Sequence, residues 1–146
     1  MAAFVQFHEF GRYLGDGTID LDSDTFRAVL SNVAPTAATD DTLSDITQIA
    51  NGNGYTTGGV TLGSVTWTET GAGSGIWAFS AADFSWTATG GAMAQFRYIV
   101  LYDDTPISPA DPLLGYLDYG SGLTLPQDAT FTVDIGANGI TRLTVS

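Results

Sequence analysis

The residues in this chain that invite chemistry are carboxylates. Asp20, Asp22 and Asp24 alternate in GTIDLDSDTF, and Asp40-Asp41 and Asp103-Asp104 stand as tandem pairs. Alternating aspartates fit the start of a calcium loop, because a hard cation collects several oxygens. The loop pattern then fails: Thr25 occupies the position where the chain needs glycine to turn, and Ser31 the position of the closing bidentate glutamate. Asp20, Asp22 and Asp24 remain the one calcium candidate, set against a turn or solvated strand edge, where charge blocks unwanted pairing. Two carboxylates can also act as general acid and base on a glycosidic bond, but only when opposed at a defined distance. Neighbouring side chains on a strand point to opposite faces, so the tandem pairs read as turn residues.

Other reactive frameworks are missing from the sequence. It has no cysteine, no lysine and one histidine, His8, with no Ser-x-Gly elbow to pair with it. Thiolate, Schiff-base and triad chemistry therefore lack their groups. The glycine-rich run NGNGYTTGG lacks the Lys-Ser/Thr that completes a phosphate cradle, and reads as a flexible loop. These features point away from an enzyme and from any cofactor. A formal charge of −12, from sixteen carboxylates against four arginines, repels phosphate backbones and anionic lipid. No run of apolar residues is long enough to span a membrane as a helix. Direct nucleic-acid and membrane partners are thus not expected.

The elements that position these residues read mostly with period two. Phe4, Phe7, Phe10 and Leu14 form a stripe at helical spacing, closed by Gly15 and Gly17, which predicts a short amphipathic N-terminal helix. Residues 1–17 are accordingly expected to be an arm that docks on a partner. Thr42 and Asp45 sit in capping-box positions before Leu43, Ile46 and Ile49, predicting a second helix of up to about three turns. Thr25 to Leu30 alternates as a strand. In Val60 to Thr68 the apolar parity changes across Gly63 and Ser64, which predicts one strand with a bulge. A second parity change separates Trp77 and Phe79 from Phe84 and Trp86.

In Phe96 to Tyr102 the residues Phe96, Tyr98, Val100 and Tyr102 share one face, and Ile99 and Leu101 the other. A strand apolar on both sides belongs in the middle of a packed sheet. Arg97 lies inside it, so its charge requires a carboxylate partner or a subunit contact. Leu113 to Tyr119 continues the pattern. Phe131, Val133 and Ile135 lead through Asn138-Gly139, a hairpin signal, into Ile140 to Val145. Short strands with glycine-rich turns predict an all-β chain, an antiparallel β-sandwich or jelly-roll-like domain over residues 1–146 with one or two short helices.

The order of motifs resembles a group of small virion proteins of tailed phages and prophages. The likeness rests on the D-T-F-x-x-x-L-x-N strand at Asp24 to Asn32 and the N-G-Y-x-x-G-G turn at Asn53 to Gly59. It continues in F-R-Y-x-V-L-Y-D at Phe96 to Asp103 and G-x-x-D-Y-G at Gly115 to Gly120. The resemblance implies a virion structural protein, of the capsid decoration (cement) type. Its expected place is the outer capsid surface after synthesis in the host cytoplasm. It would bind the major capsid protein and copies of itself, as a trimer or dimer at symmetry axes. Phe4, Phe7, Phe10, Leu14 and Arg97 are the partner-contact candidates. The alternative is a tail or baseplate component that stacks host glycan on exposed aromatics such as Tyr55 and Trp77.

Overall fold

The fold was obtained as a computed structural model, which describes residues 2–146. The chain is mainly β, with three antiparallel sheets and one α-helix in a sandwich-like arrangement. The strands are β1 (Phe4–Gln6), β2 (Phe26–Ser31), β3 (Val60–Thr61), β4 (Thr66–Glu69), β5 (Ile76–Ser80) and β6 (Phe84–Thr87). They continue with β7 (Phe96–Asp103), β8 (Leu113–Leu123), β9 (Thr130–Val133) and β10 (Thr141–Thr144), and the helix α1 is His8–Gly15. The large sheet has the order β1-β8-β7-β2-β3, a second has β10-β5-β4, and β6 pairs with β9.

The centre of the large sheet is β7, as its two-sided apolar pattern requires. Ile99 and Leu101 join the main core, while Val100 and Tyr102 pack on the opposite face with Phe7, Val29, Ile46 and Leu113. Phe96 departs from the expected face. A register shift between Phe96 and Tyr98 breaks the alternation, and Phe96 enters the main core beside Ile99 instead. There its ring meets Phe131 edge-on, with centroids 5.0 Å apart. Phe26 of the large sheet and Phe79 of the second sheet meet the same way at 4.9 Å, both fully buried. Each such ring contributes about 1.5–3 kcal/mol by burial alone.

Several boundaries differ from the sequence expectation. Phe4 belongs to β1, paired with Leu117 of β8, and the helix begins only at His8. It ends where Asp16 and Gly17 return their N–H groups to Arg12 and Leu14 carbonyls, Gly17 taking φ +79°. The second helix is a single 3₁₀ turn, Leu43–Asp45. The Asp45 carboxylate accepts the Asp41 and Thr42 N–H groups as expected of a cap, but Ile46 continues extended. Ile46 and Ile49 turn into the core from that extended chain.

The parity change at Gly63-Ser64 is not a bulge in one strand. β3 pairs with β2 while β4 pairs with β5, so the chain changes sheets there, with Ser64 at φ +50°. Nor is Asn138-Gly139 a hairpin turn: β9 pairs with β6 and β10 with β5. Gly139 instead closes a turn back to the Gly136 carbonyl at φ +73°, where a Cβ would stand 2.7 Å from the Phe79 carbonyl oxygen.

Candidate functional site

The N-terminal segment expected to be a free arm is built into the fold. Phe7, Phe10 and Tyr13 recur at three-residue spacing and are all buried: Phe7 against Tyr116, Phe10 and Tyr13 in the main core. Phe4 is half-buried, its ring lying over Gly115. An apolar stripe this close to the sheet gains more by covering β8 than by standing in water. Leu14 alone of the four keeps an open face, 38% exposed.

That open face borders an apolar groove. On one side are Gly11 and Leu14 of α1 with Gln6 of β1; on the other is β10, through Thr141 and Leu143. Phe10, Leu21 and Trp67 lie deeper, and the groove widens past Gly17 and Ile19 into a cavity of about 370 Å³. Its far side is the end of the β10-β5-β4 sheet that extends past the core. Phe79 and Trp77 alternate on one face of β5. Trp67 stands opposite Phe79 and Leu143 opposite Trp77, so all four share that face. Phe79 is sealed in the core, while Trp77 is 37% and Leu143 52% exposed. The Trp67 and Trp77 rings stack with centroids 6.0 Å apart. A side-chain bond from Gln6 Nε2 to Thr141 Oγ1, 2.6 Å, closes one end of the groove.

β10 is also a free edge. It pairs with β5 on one side, and among the described residues no strand pairs with it on the other. Every second residue of such a strand turns its N–H and C=O outward, in the plane of the sheet.

Asp20 lines the wide part of the groove and Arg142 the narrow part. Asp16, whose carboxylate accepts the Thr18 hydroxyl and N–H, is held below the usual carboxylate range. Asp20 is held low by Ser23 and by the Asp22 N–H, and Glu69 by the Gly75 and Gly73 N–H groups. All four arginines have partners inside the chain. Arg12 meets Glu9 and Asp16, Arg27 the Gly58 and Gly59 carbonyls, Arg97 Asp118, and Arg142 both oxygens of Asn138.

The other sequence candidates fall elsewhere. Arg97 makes a two-pronged ion pair with Asp118, 2.7 and 3.0 Å, on the surface of the large sheet. Both side chains are about two-fifths exposed, so solvent screens the pair. Asp118→Ala is expected to leave the midpoint of chemical denaturation nearly unchanged. Asp20, Asp22 and Asp24 form a turn that satisfies itself: Asp20 accepts the Asp22 N–H and Ser23 hydroxyl, and Asp24 accepts the Asp20 N–H. Among the described residues no three acidic, histidine or cysteine side chains stand close enough to hold a metal.

Asp103, which its tandem placement predicts to be a turn residue, is fully buried at the end of β7. Its Oδ1 accepts the Thr105 N–H at 3.0 Å, while Oδ2 is shielded from water without a donor. Burial first, and then the neighbouring Asp24, push its carboxyl up to about 8. The acidic turn is joined to the end of β7 through the backbone, the Asp104 N–H donating to the Thr25 carbonyl. Asp104 lies against Asp111, whose carboxyl burial and Asp104 also raise.

Tyr55, expected as an exposed glycan platform, is buried. Its hydroxyl donates to Gln48 Oε1 at 2.6 Å, and burial pushes it up to about 12. The loop around it is pinned, not flexible: Arg27 and the Tyr102 hydroxyl both bind the Gly58 carbonyl, and Arg27 also binds that of Gly59.

No family model, curated protein or solved structure significantly matches this chain. The groove carries the functional argument on its own geometry. Sequence reasoning missed Leu21, Trp67 and Leu143, which lie far apart in the chain and meet only through the sheet switch after β3.

Proposed function

We propose that this chain is a structural protein of a tailed-phage virion, of the capsid decoration type, that binds the outer surface of the shell through the major capsid protein. Its work is binding, not catalysis. The observation that carries the reading is the apolar groove between α1 and the face of the β10-β5-β4 sheet, on a scaffold whose four arginines are all hydrogen-bonded within the chain. Stable association needs such a surface, where apolar contact drives binding.

The motif resemblance supports the same reading, because each motif does scaffold work here. The N-G-Y-x-x-G-G turn ties β3 to β2 and β7, F-R-Y-x-V-L-Y-D is the central strand, and Asp118 of G-x-x-D-Y-G holds Arg97. Copies of the chain would sit as trimers or dimers at the symmetry axes of the shell, where repeated weak contacts add through multivalency.

Particles made without this protein are expected to lose genome-retaining heat resistance, and particle maps to lose density on the head exterior. Unchanged particles in both measurements would overturn the assignment. The stacked Trp67 and Trp77 rings favour a second reading, a tail or baseplate component that holds host glycan. Location at the tail tip, with glycan binding lost in Trp77→Ala, would select that reading.

A further inference from the structure

We propose that the groove between α1 and the face of the β10-β5-β4 sheet is the contact between two copies of this chain, related by a two-fold axis that sets one groove against the other. The pairing is read from the groove itself, and the virion reading supplies only its place on the shell.

A chain of charge −12 repels its own copies, so self-association needs a face that is locally neutral. The groove is such a face. Its only charged lining residues are Asp20 and Arg142, one of each sign. Among the described residues neither forms an ion pair within the chain. Arg142 donates through Nε and Nη2 to the Asn138 carbonyl and Oδ1, both neutral, and Asp20 accepts from the Asp22 N–H and the Ser23 hydroxyl.

The two charges lie in different parts of the groove, with apolar side chains common to both parts. Arg142 lines only the narrow part and Asp20 only the wide part, while Leu14, Leu21, Trp67 and Leu143 line both. A two-fold axis through that shared stretch exchanges the two parts, so Arg142 of each copy meets the partner's Asp20. Each contact then occurs twice, as an isologous interface requires.

The exposed apolar surface gathers on the same face. Leu14, Trp77, Leu143 and Val145 are four of the eight large hydrophobic side chains exposed among the described residues. Trp77 stands opposite Leu143, and Val145, two residues beyond it, continues the alternation. Half of these side chains thus collect where like charge opposes contact least, which marks an interface and not scatter. Leu143 and Val145, the most exposed of the four, supply the convex part that enters the partner's groove.

The test is sedimentation equilibrium of the full chain at physiological salt, which is expected to show a monomer–dimer equilibrium. Asp20→Arg and Arg142→Asp, each alone, set like charges together at both ends of the contact and are expected to weaken dimerisation at least about ten-fold. An equimolar mixture of the two variants restores both pairs and is expected to associate within about three-fold of the native affinity. Misfolding of either variant cannot produce that recovery. Leu143→Asp is expected to weaken dimerisation at least about ten-fold through lost apolar contact. Ile107→Asp, on a side chain 91% exposed and outside the groove, adds the same charge and is expected to change it less than about two-fold.

A native chain that stays monomeric, or sediments as a trimer, would overturn the pairing, as would mixed variants that both fold and fail to associate. Native dimerisation in Leu143→Asp would overturn it even where a charge reversal prevents folding. If the dimer forms as expected while the protein is absent from virions, the pairing stands and the virion reading fails. A chain monomeric in solution that still decorates heads separates them the other way.

Discussion

Asp103→Asn is expected to be more stable than the native chain at pH 9, by on the order of 5 kcal/mol, and nearly equal to it only below about pH 4. The native side chain is fully buried and its Oδ2 lacks a donor, beside Asp24. In the folded chain its carboxyl holds a proton up to about 8, against 3.8 for an ordinary aspartate. Between those values the folded state binds more protons than the unfolded state, so stability falls as pH rises across that window. The contribution is complete below about pH 4 and lost once pH passes the folded value. Asparagine keeps an oxygen for the Thr105 N–H and supplies a permanent donor toward Asp24, so the slope due to this site disappears. Asp16, Asp20, Glu69 and Asp118 are shifted the opposite way, so their contributions are lost as pH falls and not as it rises. Asp111 shifts upward with Asp103, so the comparison is made between the two chains at each pH. Parallel denaturation curves for variant and native chain from pH 5 to 9 would refute the buried-proton account.

Gly59→Ala is expected to cost at least about 3 kcal/mol, a drop in Tm of roughly 10 °C, and to disturb the large sheet at its β3 edge. Gly59 sits at φ +73°, a region that costs an L-residue about 1–2 kcal/mol. A Cβ there would also lie 1.8 Å from the Ala28 carbonyl oxygen of β2. That oxygen is backbone in the second-innermost strand, flanked by β7, and cannot yield cheaply. The chain at residue 59 must retreat instead. Retreat pulls the Gly58 and Gly59 carbonyls from Arg27 and unpairs Val60 from Ala28. Gly136→Ala is the control, because its φ is ordinary and nothing lies within 4 Å of an added Cβ. Similar melting temperatures for the two variants would show that the loop does not anchor the sheet.

The contrast between legible and illegible features is physical. β7 could be read because both its faces are apolar, and only the middle of a covered sheet accepts that pattern. Local turn chemistry was readable too, as at Thr42 and Asp45, although the cap closes a single turn instead of opening a helix. Sheet membership could not be read, because a change of parity looks the same whether a strand bulges or leaves for another sheet. Gly63-Ser64 and Asn138-Gly139 failed for that reason. The N-terminal stripe merged a strand residue, Phe4, and Phe7 just before the helix with helical Phe10, and chose Leu14 where Tyr13 is the buried one. Continuing the three-residue step from Phe7 and Phe10 would have found Tyr13. The groove was out of reach altogether, since Leu14, Trp67 and Leu143 become neighbours only when three sheets are assembled. Asp103 showed as acidic but not as buried, because its shielding comes from the segments around Thr25 and Pro112 that fold over it.

The order of the large sheet has a consequence for how the chain is made. β1, at the very front of the sequence, pairs with residues 115–117, and β2 pairs with residues 98–103. During synthesis at about 5–20 residues per second, the first strand waits for several seconds with its Phe4 ring uncovered. Sheets closed by such distant segments also form slowly, on the scale of milliseconds to seconds. The nascent polypeptide thus passes through a sticky interval that ends only when β8 clears the ribosome, and the steep excess of carboxylates keeps neighbouring unfinished chains apart until then.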